Sequence, residues 1–245
     1  MQKEMKMIKI TNLCKNFQTL QAVDNLSLEI LEGETFALLG LNGAGKSTTI
    51  NILCGLLQKT SGQIEVQKFN LDKDMSEIKK IINLSPQETA IANNLTVTEN
   101  LEFIANLYKV ENVKDKTKQM LETFDLESKQ STLAKKLSGG QKRKLSIAMA
   151  LITNPKILIL DEPTLGLDIK SRKALWKIIS SLKGKTTIIL TTHYLEEAEN
   201  LSDRIGIMTN GKLVALGTKE EIVLKSQKQN FEEAFLFFAG GEDDE

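Results

Sequence analysis

Residues 35 to 47 read TFALLGLNGAGKS, an apolar run that breaks into glycines and ends on a lysine and a serine. The uncharged stretch from Thr35 to Leu39 reads as a strand buried on both faces. Behind the serine, Ile50, Leu53, Cys54 and Leu57 recur at helical spacing, so a helix starts near Lys46. Strand, glycine turn and helix in immediate succession predict an α/β protein with a parallel sheet. IINLS at 81–85, KILILD at 156–161 and TTIILTT at 186–192 are further compact apolar runs of the same kind, separated by helical patterns.

Working outward, the pattern changes on both sides. MIKITNL at 7–13 alternates through Ile8 and Ile10, and NLSLEI at 25–30 alternates through Leu26, Leu28 and Ile30, which predicts a half-exposed antiparallel sheet. Between Gln87 and Thr153 the chain shows helical patterns only. Thr96 and Glu99 form a capping-box pair ahead of the stripe Leu101, Ile104, Ala105 and Tyr108, so this region reads as a helical insertion. Asn210-Gly211 between RIGIMT and KLVALG predicts a hairpin. Phe231, Ala234, Phe235 and Phe238 form an apolar stripe that reads as a helix docked on the core, ahead of an acidic tail, GGEDDE, expected to be disordered. The organisation expected is an N-terminal β subdomain with the first part of the core at 1–87, a helical subdomain at 88–153, the second part of the core at 154–216, and C-terminal helices with the acidic tail at 217–245.

Composition narrows the function classes. The 245 residues are 41% hydrophobic, enough for a substantial core, and Lys plus Arg balance Asp plus Glu at 32 each. No global field holds such a chain on nucleic acid or an anionic membrane. The aliphatic runs fall far short of the roughly 20 apolar residues of a membrane-spanning helix. The opening MQKEMKMIKI has scattered charges and no apolar core of a secretion signal, so a soluble, cytoplasmic chain is expected. Cys14 and Cys54 lack metal-site spacing and are expected to be reduced core thiols.

Gly40, Gly45, Lys46 and Ser47 fit the phosphate-loop pattern G-x-x-x-x-G-K-[ST]. The chemistry explains the residue types. Backbone N–H groups must approach phosphate oxygens where a Cβ would intrude, and a helix N-terminus adds its partial positive charge. Lys46 would reach the β- and γ-phosphates, and the Ser47 hydroxyl would ligate Mg²⁺. A plain glycine turn is the competing reading, and the flanking strand and helix weigh against it. Asp161 and Glu162 stand where KILIL ends, the edge at which parallel sheets present ligands. In phosphate-loop proteins an Asp here holds Mg²⁺, and Glu162 is then the candidate base for an attacking water. His193, the one histidine of the chain, directly follows TTIILTT on the same kind of edge. A satisfied structural histidine is the ordinary alternative, but this position favours a γ-phosphate contact.

One stretch resists a purely structural reading. LSGGQ at 137–141 heads a segment whose Leu145, Ala148, Met149 and Ile152 predict a good helix, yet it opens with two adjacent glycines. Each costs roughly 1 kcal/mol against alanine inside a helix. Another requirement must favour bare backbone there.

Taken together, these motifs resemble the ATP-binding cassette family of ATPases from about Ile8 to Gly217. The resemblance implies a phosphate-loop core with an N-terminal antiparallel β subdomain and a helical insertion, binding ATP and Mg²⁺. It implies that Asn42, Gly43 and Ala44 join Gly40, Gly45, Lys46 and Ser47 around the phosphates, with Thr48 beside the α-phosphate. LSGGQ matches the family's signature. Ser138, Gly139, Gly140 and Gln141 would then form a second phosphate clamp that closes on ATP held by a partner cassette, in a head-to-tail dimer of identical or different subunits.

By the same resemblance Gln87 senses Mg²⁺ and the attacking water, Asp168 communicates across the dimer, and His193 is the switch histidine. Asp168 also suits a helix N-cap. Phe17 stands where a tyrosine often stacks on adenine; a phenylalanine keeps the π-face, though it reads equally as core. The run LSGGQKRKLSIAMALI, THYLEEAENLSDRI and FEEAFLFF look most like cassettes of multidrug and antibiotic exporters. That implies an ATPase subunit on the cytoplasmic face of a membrane, bound to a separate permease and not to nucleic acid. The alternative is a soluble cassette acting on ribosomes or nucleic acid, for which the cluster Lys135, Lys136, Lys142, Arg143 and Lys144 could be offered. A solvated helix face explains that cluster as well.

Overall fold

The computed structural model describes residues 5–240. Along the chain run β1 (Lys6–Phe17), β2 (Leu20–Leu31), β3 (Thr35–Leu39), α1 (Lys46–Leu53), β4 (Ser61–Val66), β5 (Phe69–Asn70), α2 (Met75–Ile78) and β6 (Ile82–Ser85). Then come α3 (Val97–Leu107), α4 (Val113–Phe124), α5 (Gly139–Leu151), β7 (Ile157–Asp161), α6 (Ile169–Ser181) and β8 (Thr187–Thr192). The last elements are α7 (Leu195–Leu201), β9 (Arg204–Thr209), β10 (Lys212–Gly217), α8 (Lys219–Ser226) and α9 (Phe231–Ala239). They group into two compact units, one made of the chain up to Lys80 together with that from Lys183 onward, the other of Ile81–Leu182.

In the first unit an antiparallel sheet takes the order β2-β1-β4-β5. Ile8 and Ile10 on β1, and Leu26, Leu28 and Ile30 on β2, are all buried, as the alternation requires. The strands run well past the stretches that alternate, to Phe17 and back from Leu20, with register shifts along β1 that absorb the length. The other sheet strands of this unit place β3 between β8 and β9, parallel to both, while β10 returns antiparallel to β9. Every residue of β3 and β8 is buried. Asn210 and Gly211 both take positive φ, 48° and 79°, the primed turn that their sequence predicts.

The β2–β3 corner is tied by polar groups. Glu34 is buried, accepting the Leu31 N–H at 2.6 Å and Arg204 Nη1 at 3.1 Å. Burial pushes its carboxyl above the usual carboxylate range despite both partners. Helices α8 and α9 pack on each other and α9 packs on β9 and β10. Phe231, Ala234 and Phe235 supply the buried face, and Phe238 is half-buried. The acidic tail expected to be disordered lies, from residue 241, outside the described residues.

In the second unit β6 and β7 pair in parallel, with α3, α4 and α5 between them in sequence. Thr96 caps α3 in a reciprocal box with Glu99. Leu101 and Ala105 are buried, but Tyr108 is 48% exposed, because the helix ends at Leu107 and Tyr108 is its cap. Two further expectations change. Asn83 and Leu84 on β6 are half-exposed rather than buried on both faces, since β6 ends its row of strands. Cys14 and Cys54 are half-buried, Cys54 because α1 stops one residue before it, and Cys14 Sγ accepts the Asn25 N–H at 3.3 Å.

Candidate functional site

The first group of residues surrounds the loop between β3 and α1. Gly40 and Gly45 are required by the protein's own packing. A Cβ on Gly40 would lie 2.3 Å from the Met208 carbonyl oxygen; one on Gly45, at φ +100°, would lie 2.4 Å from that of Ala22. Gly43 differs: a Cβ there would meet nothing within 4 Å, and the residue is exposed along with Leu41 and Asn42. Ala44 is buried and accepts the Gly211 N–H at 3.1 Å, while Ser47 and Thr48 are half-buried in the first turn of α1.

Helix α1 begins on Gly45 with no side-chain cap, so no side chain from the cap competes for its leading N–H groups. Lys46 is only 5% exposed, and its Nζ donates to the carbonyl oxygens of Gly40 at 2.8 Å and Leu41 at 3.2 Å. The ammonium thus bends back over the Gly40–Leu41 end of the loop. Gly40 N–H donates to Thr192 O at 3.3 Å, which ties the loop to the residue before His193. His193 is half-buried, with its ring 4.1 Å from that of Tyr194. Phe17, at the turn from β1 to β2, is 42% exposed and carries Lys15 Nζ 4.7 Å from its ring centroid. It is therefore a surface ring and not a core residue.

The second group lies in the other unit. Asp161 closes β7 and is buried, as is Glu162 after it. Glu162 has φ +47°, a left-handed conformation that a side-chain-bearing residue adopts only under constraint. That constraint comes from a residue read from sequence as part of a basic surface cluster. Arg143 is 4% exposed, and its guanidinium donates to the carbonyls of Asp161, Pro163, Pro86 and Gln87. A signal was present: Ile147 and Ala150 follow Arg143 at i+4 and i+7, which puts it on an apolar face. Gln87 itself is exposed.

Ser138 is the N-cap of α5, accepting the Gln141 N–H at 3.3 Å, and the Gln141 side chain returns to accept the Ser138 N–H at 3.0 Å. The two glycines behind Ser138 have different reasons. A Cβ on Gly140 would crowd the Ser171 side chain of α6, with Oγ at 3.0 Å, whereas a Cβ on Gly139 would meet nothing within 4 Å. Asp168 caps α6, accepting from Ser171 N at 3.0 Å and Ser171 Oγ at 2.6 Å, and these bonds hold its carboxyl below the usual range. Ser171 thereby joins Gly140 of the LSGGQ stretch to Asp168.

Among the described residues no cluster of three or more His, Cys, Asp and Glu could hold a metal by itself. Mg²⁺ does not need one, since it is commonly held by one or two protein oxygens with phosphates and water.

A buried strand running into a glycine loop and an uncapped helix, with an acidic pair closing a parallel strand, defines a phosphate-loop nucleotide-binding protein. Comparison with known proteins narrows this. The family model described as ABC transporter matches residues 23–165. Phospholipid-transporting ATPase ABCA3 of Rattus norvegicus is 43% identical over 217 residues, 86% of this chain and 13% of that protein. ABC transporter A family member 5 of Dictyostelium discoideum is 44% identical over 218 residues, again 86% of this chain and 13% of that protein. The chain thus spans a small part of the length of these relatives.

Among solved structures, an ATP-binding subunit of an ABC transporter superposes with a TM-score of 0.86 at 29% identity, covering 95% of this chain and 99% of that one. The dimeric post-hydrolysis structure of the ATP-binding cassette MJ0796 with ADP and Pi has a TM-score of 0.78 at 27% identity, covering 86% and 98%. The chain belongs to the ABC transporter family, and its fold is that of the family's ATP-binding cassette.

Proposed function

We propose that this chain is the ATP-binding and ATP-hydrolysing cassette of an ABC transporter. Two cassettes close head-to-tail on ATP and reopen after hydrolysis, driving a substrate, in the export direction, through a membrane permease. The observation that carries the reading is the loop from Gly40 to Ser47, where an uncapped helix N-terminus, an open glycine and a buried, inward-bent lysine converge. Among the described residues no helix is long and apolar enough to cross a membrane, so a transporter of this kind needs its membrane path elsewhere. The likeness to a phospholipid-transporting ATPase supports the coupling of hydrolysis to transport, and the likeness to a dimeric cassette bound to ADP and Pi supports dimerisation.

In this mechanism the backbone N–H groups of Asn42 to Ser47 and the Lys46 ammonium bind the phosphates. Phe17 offers its ring to the base. Mg²⁺, when bound, would neutralise charge on the phosphate oxygens, held by Ser47, Asp161 and Gln87. Glu162 orients and polarises the attacking water, and His193 contacts the γ-phosphate. Ser138, Gly139 and Gly140 of one cassette close over the ATP of the other, and Asp168 communicates across the dimer. The reading as a soluble cassette on ribosomes or nucleic acid loses much of its basis: of its basic cluster, Arg143 is buried and Lys144 pairs with Asp125 at 3.4 Å.

The test is Glu162→Gln. With ATP and Mg²⁺ it should bind nucleotide, release almost no phosphate and elute as a dimer, whereas wild type turns over. A variant that hydrolyses ATP at the wild-type rate would overturn the assignment of Glu162.

A further inference from the structure

We infer that Arg143 is a positioning residue for hydrolysis: it clamps the left-handed turn that presents Glu162 and fixes that turn and the Gln87 segment to the helix headed by Ser138. The inference rests on the proposed ATPase function and deepens it.

The geometry singles this residue out. Nε donates to Pro163 O at 2.8 Å, Nη2 to Asp161 O, and Nη1 to Pro86 O and, at 3.4 Å, to Gln87 O. The carbonyls of Asp161 and Pro163 are those immediately before and after Glu162, the residue with φ +47°. A planar guanidinium with five N–H groups in a fixed fork can grip both flanks of that turn at once; the point-like ammonium of lysine cannot. Strained backbone of this type persists where its surroundings over-determine it, and at functional sites it sets the aim of a side chain.

The other end of the clamp is equally specific. Arg143 lies in α5, one turn beyond Gly139, so the helix whose N-terminus carries Ser138, Gly139 and Gly140 also carries the grip on Glu162. Any shift of that helix pulls on the turn after β7 and on the Pro86–Gln87 carbonyls together. Burying a guanidinium is costly, and four carbonyl acceptors are a costly way to secure a mere surface turn. The arrangement is explained if the position of Glu162 has to follow the position of the LSGGQ helix.

The experiment compares Arg143→Lys with wild type in the full chain, with Mg²⁺ and ATP, well below each protein's melting temperature. The expected result is a kcat lowered about tenfold or more with KM changed less than about twofold, because misaiming a catalytic group slows chemistry without loosening nucleotide. The same substitution made in Glu162→Gln, followed by single-turnover phosphate release, should change the residual rate less than about twofold, since Arg143 acts through the carboxylate that is already gone. Equal losses in both backgrounds, or a raised KM at unchanged kcat, would overturn the inference while leaving the ATPase reading intact. If wild type itself releases no phosphate, both readings fall. Should Arg143→Lys not fold by thermal melt, Arg143→Gln takes its place, and failure of both to fold would mark Arg143 as a residue of the fold alone.

Discussion

Gly139→Ala separates what the fold needs from what the proposed dimer needs. The added Cβ meets nothing within 4 Å, and Gly139 sits in the first turn of α5 without a left-handed φ. Within the monomer the change removes glycine's entropic penalty and supplies a better helix former, effects of about 0.5–1 kcal/mol each way they are measured. The variant should therefore be more stable by about 0.5–1 kcal/mol, a rise in melting temperature of about 1–4 °C for a chain of this size. In the closed dimer the same methyl would stand where backbone approaches the partner's ATP. Loss of one charge-assisted hydrogen bond at each of the two sites, about 1.5–3 kcal/mol apiece, weakens ATP-driven dimerisation by at least about a hundredfold. Denaturation curves give the first quantity, and light scattering of the Glu162→Gln background against ATP concentration gives the second. A destabilised variant, or one that dimerises and turns over like wild type, refutes the reasoning.

Other outcomes are expected. Lys46→Ala removes the ammonium that reaches the Gly40 and Leu41 carbonyls, and phosphate release should fall at least about a hundredfold in a coupled assay. Gly40→Ala forces a Cβ to 2.3 Å from the Met208 carbonyl, and should lower stability by about 1–3 kcal/mol in urea melts, whatever it does to nucleotide. Glu34 has a folded pKa raised by burial, so its ionised form is less favourable in the folded than in the unfolded chain. Its contribution is thus a destabilisation at neutral pH that fades as pH falls from the raised folded value through the ordinary 4.5. Glu34→Gln should flatten that part of the stability–pH profile, and an unchanged slope would contradict the assignment.

Much of this architecture could be read from short-range patterns. The buried runs of β3, β7 and β8 and the Asn210-Gly211 turn carry their own signals, because period, burial and turn chemistry are local properties. The two-residue β5 and the half-exposed β6 were not legible in the same way: a strand's exposure depends on its neighbours in the sheet. The phosphate loop showed itself through spacing, yet the separate demands on Gly40, Gly43 and Gly45 emerge only once Met208 and Ala22 are brought beside the loop. Arg143 is the sharpest case. Among lysines it reads as solvated charge, and only the folded chain reveals four carbonyls gathered around it.

In the proposed dimer, the cap on α5 constrains which side chain could close a neighbour's nucleotide pocket. The Ser138 oxygen already receives the Gln141 N–H through a lone pair, but its own hydrogen remains directable outward, toward an anion. A hydroxyl can thus hold its helix and donate to phosphate simultaneously, so engagement need not unwind anything. Aspartate would hold the helix equally well and repel the triphosphate, which makes Ser138→Asp a means of keeping two folded cassettes apart.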